Sequence, residues 1–347
     1  MSMEYIKINR KQVGLKKTVI HPNFDSKTVV TDNIYDYVEL CIKRDSSIKR
    51  KKQQLLSLWN QSREFFNLIS KVSKPVKPLL SYYCFLNATK TMLLYNNIPF
   101  SDNHGVAGSS LGNVSLIHEK IKFHTQGVLP ALSQYFEENA TESEYTVKDI
   151  LYNLHYIHRA YCLSYKGTTE LFIPILNSEY VYENSTREGY IQFELEQRNN
   201  NGCFLKTLPP SYEVNKNPKL FGKFVIRHKK RFNMNTRSDL SNMYKYNRKQ
   251  RAHFFYISGP QRLWYLKRNV KNKGAKIINR YSTTLTFALM HKLSELSRYH
   301  PERLENIFES QMGWVINEFI EMAPRQFIDE IASEITKQEI MPPLFRK

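Results

Sequence analysis

Leu79–Tyr95 reads LLSYYCFLNATKTMLLY, and its periodicity decides the fold class. Apolar residues fall on most helical faces of this stretch, and a helix that is apolar nearly all round must be buried on nearly all sides. It is therefore expected to be the central helix of a helical core. Pro78, just ahead of it, suits the first turn of a helix, where the missing amide proton costs nothing. Upstream, Ser46–Val72 carries a stripe at helical spacing (Leu55, Leu56, Trp59, Phe65, Phe66, Ile69), which predicts a long partner helix. Ile34–Lys43 reads as a short helix. Residues before it read as irregular or strand-like, with turns at Pro22, Asn23 and Asp25.

Downstream comes a Gly/Ser/Asn loop, SDNHGVAGSSLGN, residues 101–113, and then a helix expected over Glu144–Tyr165 with Thr146 as N-cap. After Gly167 the period changes. LFIPIL, YIQFELEQ, KFVIRHK, AHFFYIS and RLWYLKR alternate with a period near two and are separated by Asn, Gly and Pro, which predicts strands. Helix returns at Ser282–Arg298, with Leu285, Leu289, Leu293 and Leu296 on one side, and again near Arg303–Met322 and Pro324–Lys337. The expected fold class is α+β, mainly α. Its parts are an N-terminal extension (1–45), a first block of helical core (46–167), a β-rich and strongly basic insertion (168–280), and C-terminal helices completing the core (281–347).

The chain has 347 residues and a formal net charge of +19, and the placement of that charge is informative. Residues 216–280 hold 19 Lys and Arg against one acid, Asp239, whereas residues 1–215 are +4 and residues 281–347 are −3. Charge of one sign gathered in one segment creates a local field that attracts phosphate backbones. Aromatic rings such as Phe224, Tyr246, Tyr256, Trp264 and Tyr265 are threaded among the cations, and rings can stack on unpaired bases. The expected nucleic-acid contacts are Arg227, Lys229, Lys230, Arg231, Lys245, Arg248, Lys249, Arg251, Arg262, Lys267, Arg268, Lys271, Lys273 and Lys276. The competing reading is a solvated sheet face, or one that docks an acidic protein partner, with the rings turned inward.

Other classes are disfavoured. No GxxxxGK[ST], GxGxxG or HExxH motif occurs, and Cys41, Cys84, Cys162 and Cys203 lie far apart without CxxC spacing. No cofactor and no metal is expected, and the cysteines read as free thiols. Residues 1–17 lack a basic-then-apolar leader and no run of 18 apolar residues exists, so a cytoplasmic protein without membrane contact is expected. His155 and His158 share a helical face but lack further ligands, so they read as structural. Arg298 has Phe287, His291 and Glu295 on its own helix, and a salt bridge to Glu295 would account for it.

Three stretches resemble the YaaC-like family. They are KPLLSYYCFLNATKTMLL (77–94) with HGVAG (104–108); YTVKDILYNLHYIHRAY (145–161) with ELFIPILN (170–177); and TTLTFALMHKLSELSRYHPERL (283–304) with WVINEFIEMAPRQFIDEIASEI (314–335). That resemblance implies no activity. The central helix and the loop after it also look like those of HEPN domains, many of which are metal-independent ribonucleases. This implies a HEPN-like helical bundle, with antiviral defence as a compatible setting. HEPN nucleases carry an Arg followed four to six residues later by His, and the forward match here is Arg248 to His253 in RKQRAH. Arg298 with His300 or His104 is the alternative. In such a site His is the general acid or base and Arg stabilises the transition-state charge. The leading expectation is a nucleic-acid-binding protein within a bacterial assembly, with an endoribonuclease and a structural subunit as the alternatives.

Overall fold

The computed structural model describes residues 3–108, 115–195, 205–215, 225–234, 240–261, 263–272 and 274–343. The fold is α+β, and the chain divides into a helical unit (Val30–Glu170 with Asn272–Thr336) and a sheet unit (Met1–Val29, Leu171–Lys271 and Lys337–Leu344).

In the helical unit the apolar stretch does become the central helix, Lys77–Tyr95, with Pro78 in its first turn. Helices Lys52–Ile69, Ser282–Tyr299 and Gly313–Thr336 all pack on it. Tyr82, Cys84, Phe85, Ala88, Met92 and Leu93 are buried on its several faces, as expected of a helix without a polar side. Phe85 stacks on Phe327 with ring centroids 4.1 Å apart. Trp59, fully buried, donates its indole N–H to the Tyr35 carbonyl at 3.0 Å, so its one polar atom is satisfied.

Two expectations for this unit fail. The helix expected over Glu144–Tyr165 is broken into a strand Ser143–Thr146, a helix Val147–Tyr152, a 3-10 turn His155–Ile157 and a helix His158–Ser164. Thr146 is the N-cap, with Asp149 completing a capping box. The break falls at Asn153. Its side chain donates to Lys276 O (2.7 Å) and accepts from Ile278 N (2.9 Å), so distant backbone is bonded in place of another helical turn. Ser143–Thr146 joins Lys120–Phe123 and Val106–Gly108 in a small antiparallel sheet that the periodicity did not reveal. The second failure is the boundary expected at Pro324. One helix, Gly313–Thr336, runs through it, and Ile320, Ala323, Phe327 and Ile328 bury an apolar face on both sides of the proline.

The sheet unit is built on a curled antiparallel sheet of half-barrel form. Among the described residues its strand order is Tyr212–Val214, Val225–His228, Glu188–Leu195, Phe172–Glu183, Leu263–Lys267, Phe254–Ile257. The long strand Phe172–Glu183 pairs with Leu263–Lys267 at its start and with Met3–Tyr5 at its end, with a register shift between Ile175 and Ser178. Phe193, Phe254, Tyr180, Tyr182 and Ile226 belong to its core. The segment expected as an extension, 1–45, is divided. Residues up to Val29 belong to the sheet unit, where Lys17 N donates to Glu339 Oε1 at 2.6 Å, and Ile34–Arg44 is a helix of the helical unit.

Lys245–Arg251, within the insertion expected to be β-rich, is the second half of a helix, Ser241–Arg251. Its buried side chains (Met243, Tyr246, Asn247, Gln250, Arg251) recur at helical spacing and lie against the sheet, while Arg248, Lys249 and Arg251 in its last turn suit the negative end of the helix dipole.

Candidate functional site

The helix Ser241–Arg251 creates the most distinctive surface feature of the sheet unit. Lys245 and Lys249 are one turn apart, so their ammonium groups share a face. Asn242, Tyr246, Gln250 and His253 line the same cleft. The other lining residues are Ser211, just before strand Tyr212–Val214, and His228, Lys230, Arg231, Phe232 and Asn233, from the end of strand Val225–His228 and the segment after it. The cleft has a volume of about 500 Å³ and no carboxylate among its lining residues.

Its floor is rigidly hydrogen-bonded. Tyr212 OH donates to Gln250 Oε1 at 2.6 Å, and Gln250 Nε2 lies 3.3 Å from His228 Nε2. His228 Nδ1 is 2.9 Å from the Lys230 carbonyl. That carbonyl only accepts, so the proton sits on Nδ1 and Nε2 accepts from Gln250. The ring of Tyr246 packs on Phe232 and its hydroxyl accepts from Ile191 N at 3.2 Å. Burial pushes His253 down to about 4, with His228 and Lys267 adding to the effect, and burial also lowers His228. Both imidazoles are neutral at pH 7, so the cleft's positive charge comes from lysine.

The basic residues singled out from the sequence separate into groups once their partners are known. Lys230, Lys245 and Lys249 are exposed, and no carboxylate of a described residue pairs with them. Lys229 and Lys271 are exposed as well, Lys229 donating to Pro210 O at 2.7 Å. Arg231 bonds Glu183 at 2.5 Å and Glu188 at 3.0 Å, and Arg227 bonds Glu213 at 2.8 Å, so their charge is largely spent within the fold. Arg251 is buried. It donates to the carbonyls of Lys17 and Phe254 and lies over the Trp264 ring, which makes it part of the structure and not of a phosphate-contacting face. Lys267 is also buried, 5.9 Å from the Phe255 ring centroid. Arg268 donates to Thr207 Oγ1. Lys276 belongs to the helical unit, where its amide bonds Asp149. Arg262, Lys273 and Phe224 lie outside the described residues.

The Arg248–His253 pair is not assembled. Arg248 Nη2 donates to Ile20 O at 3.2 Å, whereas His253 lines the cleft and its ring stands edge-on to Tyr212. Of the alternative candidates, His300 is exposed at the end of helix Ser282–Tyr299. His104 is half-buried beside Tyr82, whose hydroxyl is 2.5 Å from His104 Nδ1. The His291 ring is 5.3 Å from that of His104, and the Arg298 charge is felt by both histidines.

Sequence reading missed His228, Gln250 and Asn242 as parts of the cleft, and Tyr212 as the buried residue that holds Gln250. The helical spacing of Lys245 and Lys249 was the available signal, obscured because the segment lies among strands in a β-rich insertion. Tyr82 was seen only as core, because nothing in the sequence links it to a histidine 22 residues away. Among the described residues no helix is long and apolar enough to cross a membrane, and Cys41, Cys84 and Cys162 are free thiols. Cys203 lies outside the described residues.

No curated protein and no solved structure matches the chain. A family model described as YaaC-like protein matches residues 24–335.

Proposed function

The chain belongs to the YaaC-like family, and from that premise we propose that it is a nucleic-acid-binding protein whose sheet unit grips phosphate backbones through the cleft between Val225–Asn233 and Ser241–His253. The observation that carries this reading is the juxtaposition of Lys230, Lys245 and Lys249 around a cleft without carboxylates. Two like charges one turn apart on a helix cost stability, and a bound polyanion removes that cost. Each neutralised phosphate releases condensed counterions, which gives affinity with little sequence choice. The neutral His253 and Asn242 line the same cleft and add polar edges without adding charge. Contact with the backbone does not require catalysis, and a place in a bacterial assembly, antiviral or otherwise, suits a module of this kind.

Fluorescence polarisation with labelled single-stranded RNA and duplex DNA tests the reading. Three lysine–phosphate contacts predict that log K falls with log salt at a slope of roughly −2 for single strands and −2.7 for duplex. A slope near zero would sink the proposal. Equal binding of polyglutamate would favour an acidic protein partner instead.

A further inference from the structure

In the helical unit the rings of His104 and His291 lie 5.3 Å apart and the Arg298 charge acts on both, a polar cluster that the cleft's role does not use. We propose that this site binds a single phosphate group, free or as a monoester.

The site is built from two helices and one loop. Tyr82 comes from the central helix, and His291 and Arg298 lie two turns apart on Ser282–Tyr299. His104 is fixed through its backbone. Its carbonyl accepts from Leu129 N at 3.1 Å, the neighbouring Asn103 carbonyl accepts from Val128 N at 2.9 Å, and Gly105 O accepts from His124 N at 3.0 Å. Gly105 has φ +76° and Gly127 has φ +129°, with their backbones in close approach, so a side chain at either would push the His104 loop off the helix that holds it.

Hydrogen-bond accounting then identifies what is missing. The Tyr82 phenol, held protonated by burial, donates to His104 Nδ1, which leaves His104 Nε2 as an N–H donor. The His291 ring is 3% exposed, yet its Nδ1 has no hydrogen-bond partner. A buried ring nitrogen without a partner is rare in folded proteins and calls for a ligand or water. Glu295 does not fill the role: its carboxylate is 3.9 Å from His291 Nδ1 and instead accepts the Gly108 amide. The Arg298 Nε donates to Ser294 O at 3.3 Å and its guanidinium lies 5.1 Å from the Tyr299 ring centroid, contacts within its own helix that engage no carboxylate. Two imidazole rings 5.3 Å apart, within the field of the Arg298 cation, can meet the several oxygens of one phosphate with a hydrogen bond from each ring and a compensating charge. Burial and the Arg298 charge keep both imidazoles neutral without a ligand, and an arriving anion reverses the sign of that field.

The test is calorimetric titration of the full chain with inorganic phosphate and, separately, adenosine monophosphate at fixed ionic strength, with imidazole resonances followed by NMR. The expected result is one equivalent bound and two perturbed histidine rings. R298Q should weaken binding about tenfold or more, because the compensating charge is lost. H104Q should weaken it as well, which gives a second route to the site if R298Q alters folding. Tighter binding of the monophosphate than of inorganic phosphate would identify an ester as ligand, and the reverse order free phosphate. K245E/K249E should leave this binding intact while abolishing polyanion binding, so the two proposals fail separately. Absence of any ring perturbation in the wild type up to about 10 mM phosphate would overturn this inference, as would perturbations that persist in both R298Q and H104Q.

Discussion

The core of the helical unit and the cleft of the sheet unit treat positive charge in opposite ways. In the helical unit Lys292 is almost fully buried and lies 2.7 Å from the wholly buried Glu119, which Arg303 also engages. Arg280 is buried against Glu138 at 3.1 Å. In the sheet unit the cleft lysines are left in solvent without carboxylate partners. A buried cation needs a carboxylate, carbonyl or ring partner to offset its lost hydration, whereas an exposed unpaired cation costs little and remains available to a ligand. Net charge alone therefore does not mark a binding surface. Arg251, Arg227 and Arg231 contribute to the +18 of residues 216–280 as fully as Lys245 does, yet they serve the fold.

That contrast can be broken by mutation. Lys292→Ala leaves Glu119 with a buried charge that only Arg303 opposes, and should lower stability by about 3–5 kcal/mol in urea unfolding. Charge reversal of Lys230, Lys245 and Lys249 together should leave the unfolding midpoint nearly unchanged while weakening nucleic-acid affinity by roughly a hundredfold or more and flattening the salt slope. If the triple variant unfolds as Lys292→Ala does, the distinction between paired and free cations is wrong.

Acid should expose a property the two units share. Burial depresses His253 to about 4 and His291 to about 3, from an ordinary value of about 6.5. The unfolded chain therefore binds protons that the folded one refuses. Stability is full above about pH 6.5 and declines as pH falls toward 4. Urea midpoints at pH 7 and pH 5 measure the loss, and His291→Gln should reduce the difference between them. The smallest effect has the most diagnostic sign. Lys245→Glu puts a carboxylate one turn ahead of Lys249 and should stabilise the helix by about 0.2–0.5 kcal/mol, while weakening polyanion binding. A residue whose replacement improves stability and harms binding is held for the ligand.

How much of this was legible depended on whether a residue's partners were near in sequence. The central helix was readable because its apolar faces state their own burial, and Thr146 because its cap partner, Asp149, is three residues away. Strands Phe172–Glu183 and Leu263–Lys267 announced themselves by alternation. The break at Asn153 was not readable, because it depends on Lys276 and Ile278 more than 120 residues on. Helix Ser241–Arg251 has no acidic first turn and no side-chain cap, so its only local sign was the spacing of Met243, Tyr246 and Gln250. The candidate phosphate contacts were found by type, but which cations were already occupied required the positions of Glu183, Glu188 and Glu213.

The bond from Lys17 N to Glu339 Oε1 spans 322 residues. The ladder that Met3–Tyr5 forms with Val181–Glu183 is likewise remote in sequence. Contacts of such separation carry a large loop-closure cost and form late. On the ribosome, the seam that joins Lys17 and Val29 to residues 339–341 cannot form until residues near 340 have emerged, whereas the main sheet takes its strands from residues 3–5 and 172–267. The strands and helix that carry the proposed grip are therefore all synthesised before the last seam of their own unit can be tied, and it is that seam, not the cleft, that closes last.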